Sequence, residues 1–283
     1  MKIEIKKTTE DNIVQITTVD ERWYIKEEPG KELGDEIIKT FVPSVTWIAS
    51  YYPKGIGYMK WLAANGFDES QALMKEAGEK GSKVHKAIED LLKGKEIKMN
   101  DSYFSEKLKQ DDELTVEEWE CIMSFHSWFS QVNPETISIE IVVFNDEIGY
   151  AGTVDYICII REDVKIKSQV IKKGIYIIDW KTSANIWPSH EIQISSYKNA
   201  INSKLKKRIW KSLSKEEKKD PEFKDFKLGI LQVGYKKNKN GFKFNTINDQ
   251  FDLFLSIKNI WAKECENISP KQIDYPLSLK INK

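Results

Sequence analysis

At 283 residues, 40% hydrophobic and 31% charged, the chain can bury a sizeable core, as one elaborated domain or a core with an added subdomain, and its composition excludes extended disorder. No apolar run approaches the roughly 18–20 residues of a membrane span, and Met1-Lys2-Ile3-Glu4-Ile5 lacks the apolar stretch of a signal peptide, so a cytoplasmic protein is expected. Net charge is zero, which gives no bulk sign of a nucleic-acid partner.

Residues 1–40 alternate apolar and polar at Ile3 and Ile5, Ile13 to Val19 and Trp23 to Ile25. Breaks at Glu10-Asp11-Asn12 and Val19-Asp20-Glu21 predict a small antiparallel meander, in which no chemistry is evident. Pro43-Ser44-Val45-Thr46 opens a helical region with Trp47, Ile48, Tyr51, Tyr52, Met59, Trp61 and Leu62, where Ser44 reads as an N-cap and the aromatics as core. Over 69–93 the spacing of Val84, Ile88, Leu91 and Leu92 predicts a helix, with Gly81 and His85 four apart on a neighbouring face. A mid-helix glycine costs about 1 kcal/mol relative to alanine, so Gly81 asks for a reason, such as room for a strand or metal beside His85. The polar stretch 97–114 reads as a loop, and 115–132 as a helix ended by Asn133-Pro134. Residues 41–133 are expected to form a helical lobe beside the sheet that follows.

From residue 137 the pattern turns to strands. Ile137 to Phe144 holds one acid, Glu140; Ala151 to Ile160 holds Asp155, just after Gly152-Thr153-Val154. A polar connection leads to 174–181, whose period of two puts Asp179 and Lys181 on one face and Trp180 on the other. Three unpaired acids buried on three strands would be expensive, and a shared divalent cation removes that cost. A helix over 189–201 puts Gln193 and Tyr197 on one face. Phe226 to Tyr235 reads as a further strand, and 248–268 as a closing amphipathic helix.

In chain order these marks are Gly81-x-x-x-His85, a strand Glu140, Gly152-x-x-Asp155, Asp179-x-Lys181 and Gln193-x-x-x-Tyr197. Together they resemble the RecB-type branch of the PD-(D/E)XK nuclease superfamily. Pro43-Ser44-Val45-Thr46 and Leu231-Gln232-Val233-Gly234-Tyr235 fit the same branch. Ile178-Asp179-Trp180-Lys181-Thr182-Ser183 is particularly similar to the mitochondrial genome maintenance exonuclease family and its phage and bacterial relatives. The motifs span 81–197, and residues 1–40 lie outside them.

The resemblance implies an α/β fold: a restriction-endonuclease-like core over 134–283, with a mixed sheet flanked by helices and the helical lobe over its active-site edge. It implies a metal-dependent DNA exonuclease acting on single strands or free ends, in replication, repair or recombination. Asp155 and Asp179, with the backbone carbonyl of Trp180, would hold Mg²⁺ or Mn²⁺; Glu140 would complete that site or support a second ion. His85 would contribute to the metal site, which favours Mn²⁺ at least as well as Mg²⁺. Lys181 would orient or deprotonate the attacking water. Gln193 and Tyr197 would brace the site near the substrate, with Ser44, Thr46 and Gly81 on the substrate side. Trp47, Tyr51, Tyr52 and Trp187 are candidate stacking surfaces for a single strand.

Several RecB-type nucleases carry a four-cysteine iron–sulfur cluster; Cys121, Cys158 and Cys265 are too few and too scattered for one, or for a disulfide framework. Lysines cluster at 204–211 and 236–243, while Arg22, Arg161 and Arg208 are the only arginines, so phosphate contacts are expected to be mostly lysine. The rival readings are a structure-specific flap endonuclease and a non-catalytic nucleic-acid-binding protein on a nuclease fold. The second predicts a broken motif, whereas Asp155, Asp179 and Lys181 are all present. The bias to lysine, isoleucine and asparagine hints at the AT-rich genome of a phage or bacterium.

Overall fold

The computed structural model describes residues 4–8, 12–18, 21–30, 37–105, 107–265, 268–271 and 281. The alternating N-terminal segment forms β1 (Glu4–Lys7), β2 (Ile13–Thr17), β3 (Arg22–Glu28) and β4 (Ile38–Pro43), an antiparallel sheet in sequence order. Glu10, Asp11, Val19 and Asp20, where turns are expected, lie outside the described residues. β4 runs directly into α1 (Val45–Ser50), whose first turn is fixed by the Ser44 hydroxyl accepting from the Trp47 N–H at 3.1 Å. α2 (Ile56–Asn65) and the long α3 (Phe67–Leu92) follow.

The polar stretch expected as a loop instead contains a hairpin, β5 (Ser102–Ser105) with β6 (Gln110–Glu113). It has no apolar alternation to announce it, and polar contacts dock it on α3: Ser105 donates to Glu79, and Lys83 Nζ lies 2.9 Å from Asp112. α4 (Val116–Val132) starts with a Thr115/Glu118 capping box and stops at Asn133, which takes a left-handed φ of +47° before Pro134.

Next come β7 (Glu135–Asn145), β8 (Tyr150–Ile160), a small hairpin of β9 (Val164–Ile166) and β10 (Gln169–Ile171), and β11 (Gly174–Lys181). α5 (Pro188–Ala200), α6 (Ser203–Ser212) and two short 3₁₀ turns lead to β12 (Phe226–Val233), β13 (Phe242–Ile247) and α7 (Phe251–Glu264). The result is a mixed α/β fold with a five-stranded sheet in the order β13-β12-β11-β8-β7. Neighbours are antiparallel except β11 and β12, and that parallel pair is joined by the helical crossover such pairing requires. Among the described residues no helix is long and apolar enough to cross a membrane.

Both faces of the sheet are buried, so helices are needed on both. Ile157, Ile159, Ile175 and Ile177 pack with residues of α1, α5 and α7; Tyr156, Cys158, Tyr176, Ile178 and Trp180 pack with α3 and α4. The helices of 41–133 therefore do not form the separate lobe expected from the sequence. They divide between the two faces, and α2 buries none of its residues.

The N-terminal sheet docks through tryptophans. Trp23 of β3, Trp47 of α1 and Trp261 of α7 meet edge to face, with ring centroids 5.1–6.1 Å apart. Trp23→Ala is expected to remove about 3–5 kcal/mol of stability, as measured by urea unfolding; a loss below about 1 kcal/mol would show that the sheet docks by other means.

Candidate metal centre and cleft

The acids converge because of strand pairing. β7 and β8 pair with Ile139 opposite Tyr156 and Ile141 opposite Val154, which sets Glu140 beside Asp155. Glu140 lies in the strand with φ +50°, just past an irregularity in the register between Thr136 and Ser138. A non-glycine residue in that region costs on the order of 1–3 kcal/mol and persists only where its surroundings enforce it. The ladder between β8 and β11 ends at the Ile178–Tyr156 pair, and beyond it the Asp155 carboxylate accepts the Trp180 N–H at 3.0 Å. On α3, His85 is placed with Nε2 at 3.0 Å from the Trp180 carbonyl and Nδ1 at 3.6 Å from Asp155 Oδ1.

His85, Glu140 and Asp155 each offer a ligand atom, all within 4.8 Å of one another. With Nε2–H donating to the Trp180 carbonyl, the Nδ1 lone pair is turned toward the carboxylates. An imidazole oriented by a backbone carbonyl on its other nitrogen is a recurring arrangement in metal sites. The donor set fits Mg²⁺ or Mn²⁺, with the imidazole favouring Mn²⁺.

The electrostatics agree with that fit. Burial opposes the His85 imidazolium, but the Asp155 and Glu140 carboxylates outweigh it and raise the group to about 9. Burial and the nearby Asp155 charge raise Glu140 to about 7, against the pull of His85 and Lys6. Burial also works against the Asp155 carboxylate, yet His85, Lys181 and the Trp180 N–H hold it below its usual range. Two carboxylates and one histidine thus share a surplus of negative charge that protons relieve in the metal-free state.

Asp179 departs from expectation. It is only 1% exposed, lies outside this group of three, and its Oδ2 sits 2.7 Å from Lys181 Nζ as an ion pair without hydrogen-bond alignment. Its other oxygen accepts from Gln193 Nε2 at 3.4 Å, and Gln193 Oε1 accepts from Lys181 Nζ at 3.3 Å. Asp179 therefore holds Lys181, because i and i+2 on one strand face are each other's nearest partners. Burial raises its own carboxyl to about 6 despite that lysine. The Trp180 carbonyl, expected as a metal ligand, accepts from His85 Nε2 at 3.0 Å, a bond that uses one of its two lone pairs.

Gln193 also donates to the Tyr197 hydroxyl at 2.8 Å, and the Tyr197 ring explains Gly152: a Cβ there would lie 2.5 Å from Tyr197 Cε1. Gly81 has no comparable constraint, since a Cβ would meet only Thr182 Oγ1 at 3.7 Å. It leaves the helix face flat where it borders the cleft.

These groups line one cleft of about 580 Å³: Ser44, Thr46, Gly81, His85, Glu140, Asp155, Trp180, Lys181, Gln193 and Tyr197 all reach it, and Asp179 lies outside that lining. Of the candidate stacking aromatics, Trp47, Tyr51 and Tyr52 pack against the core, whereas Trp187 is 55% exposed and borders the cleft. Beside it stands His190, missed in the sequence, which burial with Lys181 and Lys54 lowers to about 3, so its neutral Nδ1 accepts from the Trp187 N–H at 3.4 Å. Lys6, Gln15, Arg22 and Tyr24 of the N-terminal sheet also line the cleft, although that segment shows no chemistry in its sequence. The lysine clusters at 204–211 and 236–243 do not. Gln232 donates to the Ser183 carbonyl at 3.0 Å and so fixes the turn after Lys181.

In the metal-free chain the folded state holds protons that the unfolded chain releases, because His85 is raised to about 9 from 6.5 and Glu140 to about 7 from 4.5. The stability tied to each group is full below its unfolded value and lost as pH rises through its folded one. A divalent cation displaces the same protons, so its stabilising effect grows across that window. Thermal unfolding with and without excess Mn²⁺ is expected to give a larger gain in Tm at about pH 8 than at about pH 6; equal gains, or none, would contradict the metal assignment.

No protein-family model matches the chain, and no curated protein sequence matches it.

Proposed function

We propose that the chain is a metal-dependent deoxyribonuclease on a PD-(D/E)XK-type core, hydrolysing phosphodiester bonds at the ends of DNA or along single strands. The observation that carries this reading is the His85, Glu140 and Asp155 group, within 4.8 Å, facing a cleft that Lys181 also lines. Two further facts support it. The acids stand on three neighbouring strands of one mixed sheet, β7, β8 and β11, and the lysine two residues after the third acid is held in place by that acid and by Gln193.

A bound Mg²⁺ or Mn²⁺ supplies Lewis acidity toward the scissile phosphate and lowers the pKa of a coordinated water. The remaining work belongs to the chain. Lys181 presents its ammonium to the cleft, where it orients the attacking water or neutralises charge developing on the phosphate. Asp179 and Gln193 limit its motion, and Tyr197 buttresses Gln193 from beneath Gly152. Exposed Trp187 offers a face on which an unpaired base stacks, which suits sequence-tolerant binding of single strands.

The test uses linear and circular single-stranded DNA with wild type, Asp155→Asn and Lys181→Ala, each with Mg²⁺, Mn²⁺ or EDTA. Metal-dependent loss of the linear substrate alone is expected, reduced at least about 100-fold in both variants. Cleavage of circles would replace the exonuclease with an endonuclease. DNA binding without cleavage under either metal would overturn the catalytic reading.

A further inference from the structure

The N-terminal sheet is fixed against the catalytic strands. Gln15 Nε2 donates to the Tyr24 hydroxyl at 2.9 Å, and that hydroxyl meets Thr153 Oγ1 at 3.0 Å, two residues before Asp155. The Ser44 N–H donates to the Arg22 carbonyl at 2.9 Å, which ties β3 to the start of α1. On this wall Arg22 projects into the cleft, with Nη1 donating to Thr46 Oγ1 at 3.4 Å; Thr46 Oγ1 lies 3.1 Å from Ser44 Oγ.

The three arginines of the chain have different company. Arg161 is held by Glu135 and Glu217, and Arg208 by the Ile137 carbonyl and Ser138. Arg22 is exposed, and among the described residues no carboxylate pairs with it or with Lys6, which lines the same cleft close enough to pull on Glu140. One of its N–H groups is used by Thr46, and the rest of the planar fork is available. A guanidinium with spare donors, next to hydroxyls and in the same cleft as a carboxylate cluster, is suited to a phosphodiester oxygen.

We propose that Arg22, with Thr46 and Lys6, holds a phosphate of single-stranded DNA beside the scissile one, making the N-terminal sheet a working wall of the active site. This rests on the nuclease reading above and names where its substrate is gripped. Gly78 and Gly81 of α3 line the same cleft, and a Cβ on either would meet nothing closer than Thr182 Oγ1 at 3.7 Å, so this part of the helix leaves room for a strand.

The experiment measures anisotropy of a labelled single-stranded oligonucleotide, in EDTA to prevent cleavage, over a range of salt. The proteins are full-length wild type, Arg22→Ala, Arg22→Lys, the Arg22→Ala/Lys6→Ala double variant, and Lys204→Ala of α6 as control. Arg22→Ala is expected to weaken binding about tenfold or more and to reduce the salt slope, and the double variant to reduce it by about 0.7, the full share of the one phosphate the two cations hold. Arg22→Lys restores the slope while recovering only part of the affinity, and Lys204→Ala changes neither. A salt slope reports phosphate contacts, so a merely structural role for Arg22 would leave it unmoved. Wild type that binds, with an unchanged slope in Arg22→Ala, overturns this subsite and leaves the nuclease reading standing. Wild type that does not bind the oligonucleotide at any salt overturns both.

Discussion

The Trp180 peptide is the joint on which the site depends. Its indole is 1% exposed and packs against Phe125 and Tyr156, with ring centroids 5.2 and 5.3 Å away. Its N–H is taken by Asp155 and its carbonyl by His85. Burying a tryptophan removes roughly 150–250 Å² from water, worth about 4–6 kcal/mol. The indole Nε1 finds no acceptor among the described residues, which costs about 1–3 kcal/mol, so packing wins. Because side chains alternate along a strand, anchoring the indole in the α3–α4 core commits Asp179 and Lys181 to the opposite face. Core packing on one side of β11 thereby sets the positions of the charged groups on the other.

Charge accounting gives the cluster its direction. With His85 and Lys181 both positive, Asp155 and Asp179 are matched and Glu140 is the carboxylate left over. That residue is also the one in a left-handed conformation within a strand, with its carboxyl raised to about 7. With His85 neutral, Glu140 and Asp155 together carry the charge that a divalent cation cancels. The surplus negative charge at Glu140 and Asp155 is what a divalent cation held by the same three side chains would cancel.

Much of this was legible in the chain because the signals were periodic. The run ending in Asp179-Trp180-Lys181 is strand β11 from Gly174 to Lys181, and the single acids in the two preceding apolar runs do face a common site. What spacing left open was the choice of partner. Asp179 and Asp155 look alike in sequence, yet Asp155 faces His85 and Glu140 while Asp179 is turned to Lys181 and Gln193. The Trp180 carbonyl was open in the same sense, since only the position of α3 makes it the acceptor for His85. The β5–β6 hairpin carries no apolar alternation, and the helices of 41–133 read alike although they serve opposite faces of the sheet. The N-terminal sheet reads as a meander without chemistry because its cleft-facing groups, among them Arg22 and Lys6, look like ordinary surface charges until the fold places them on the cleft that Glu140 also lines.

The central claim is that His85, Glu140 and Asp155 form one divalent-metal site. Its most direct test is a crystal of the protein grown with Mn²⁺ and measured at the manganese absorption edge. An anomalous peak between His85 Nδ1 and the Glu140 and Asp155 carboxylates, absent from crystals of His85→Ala, is the expected result. A peak held instead by Asp179 and the Trp180 carbonyl, or no peak in the cleft at saturating Mn²⁺, would contradict it.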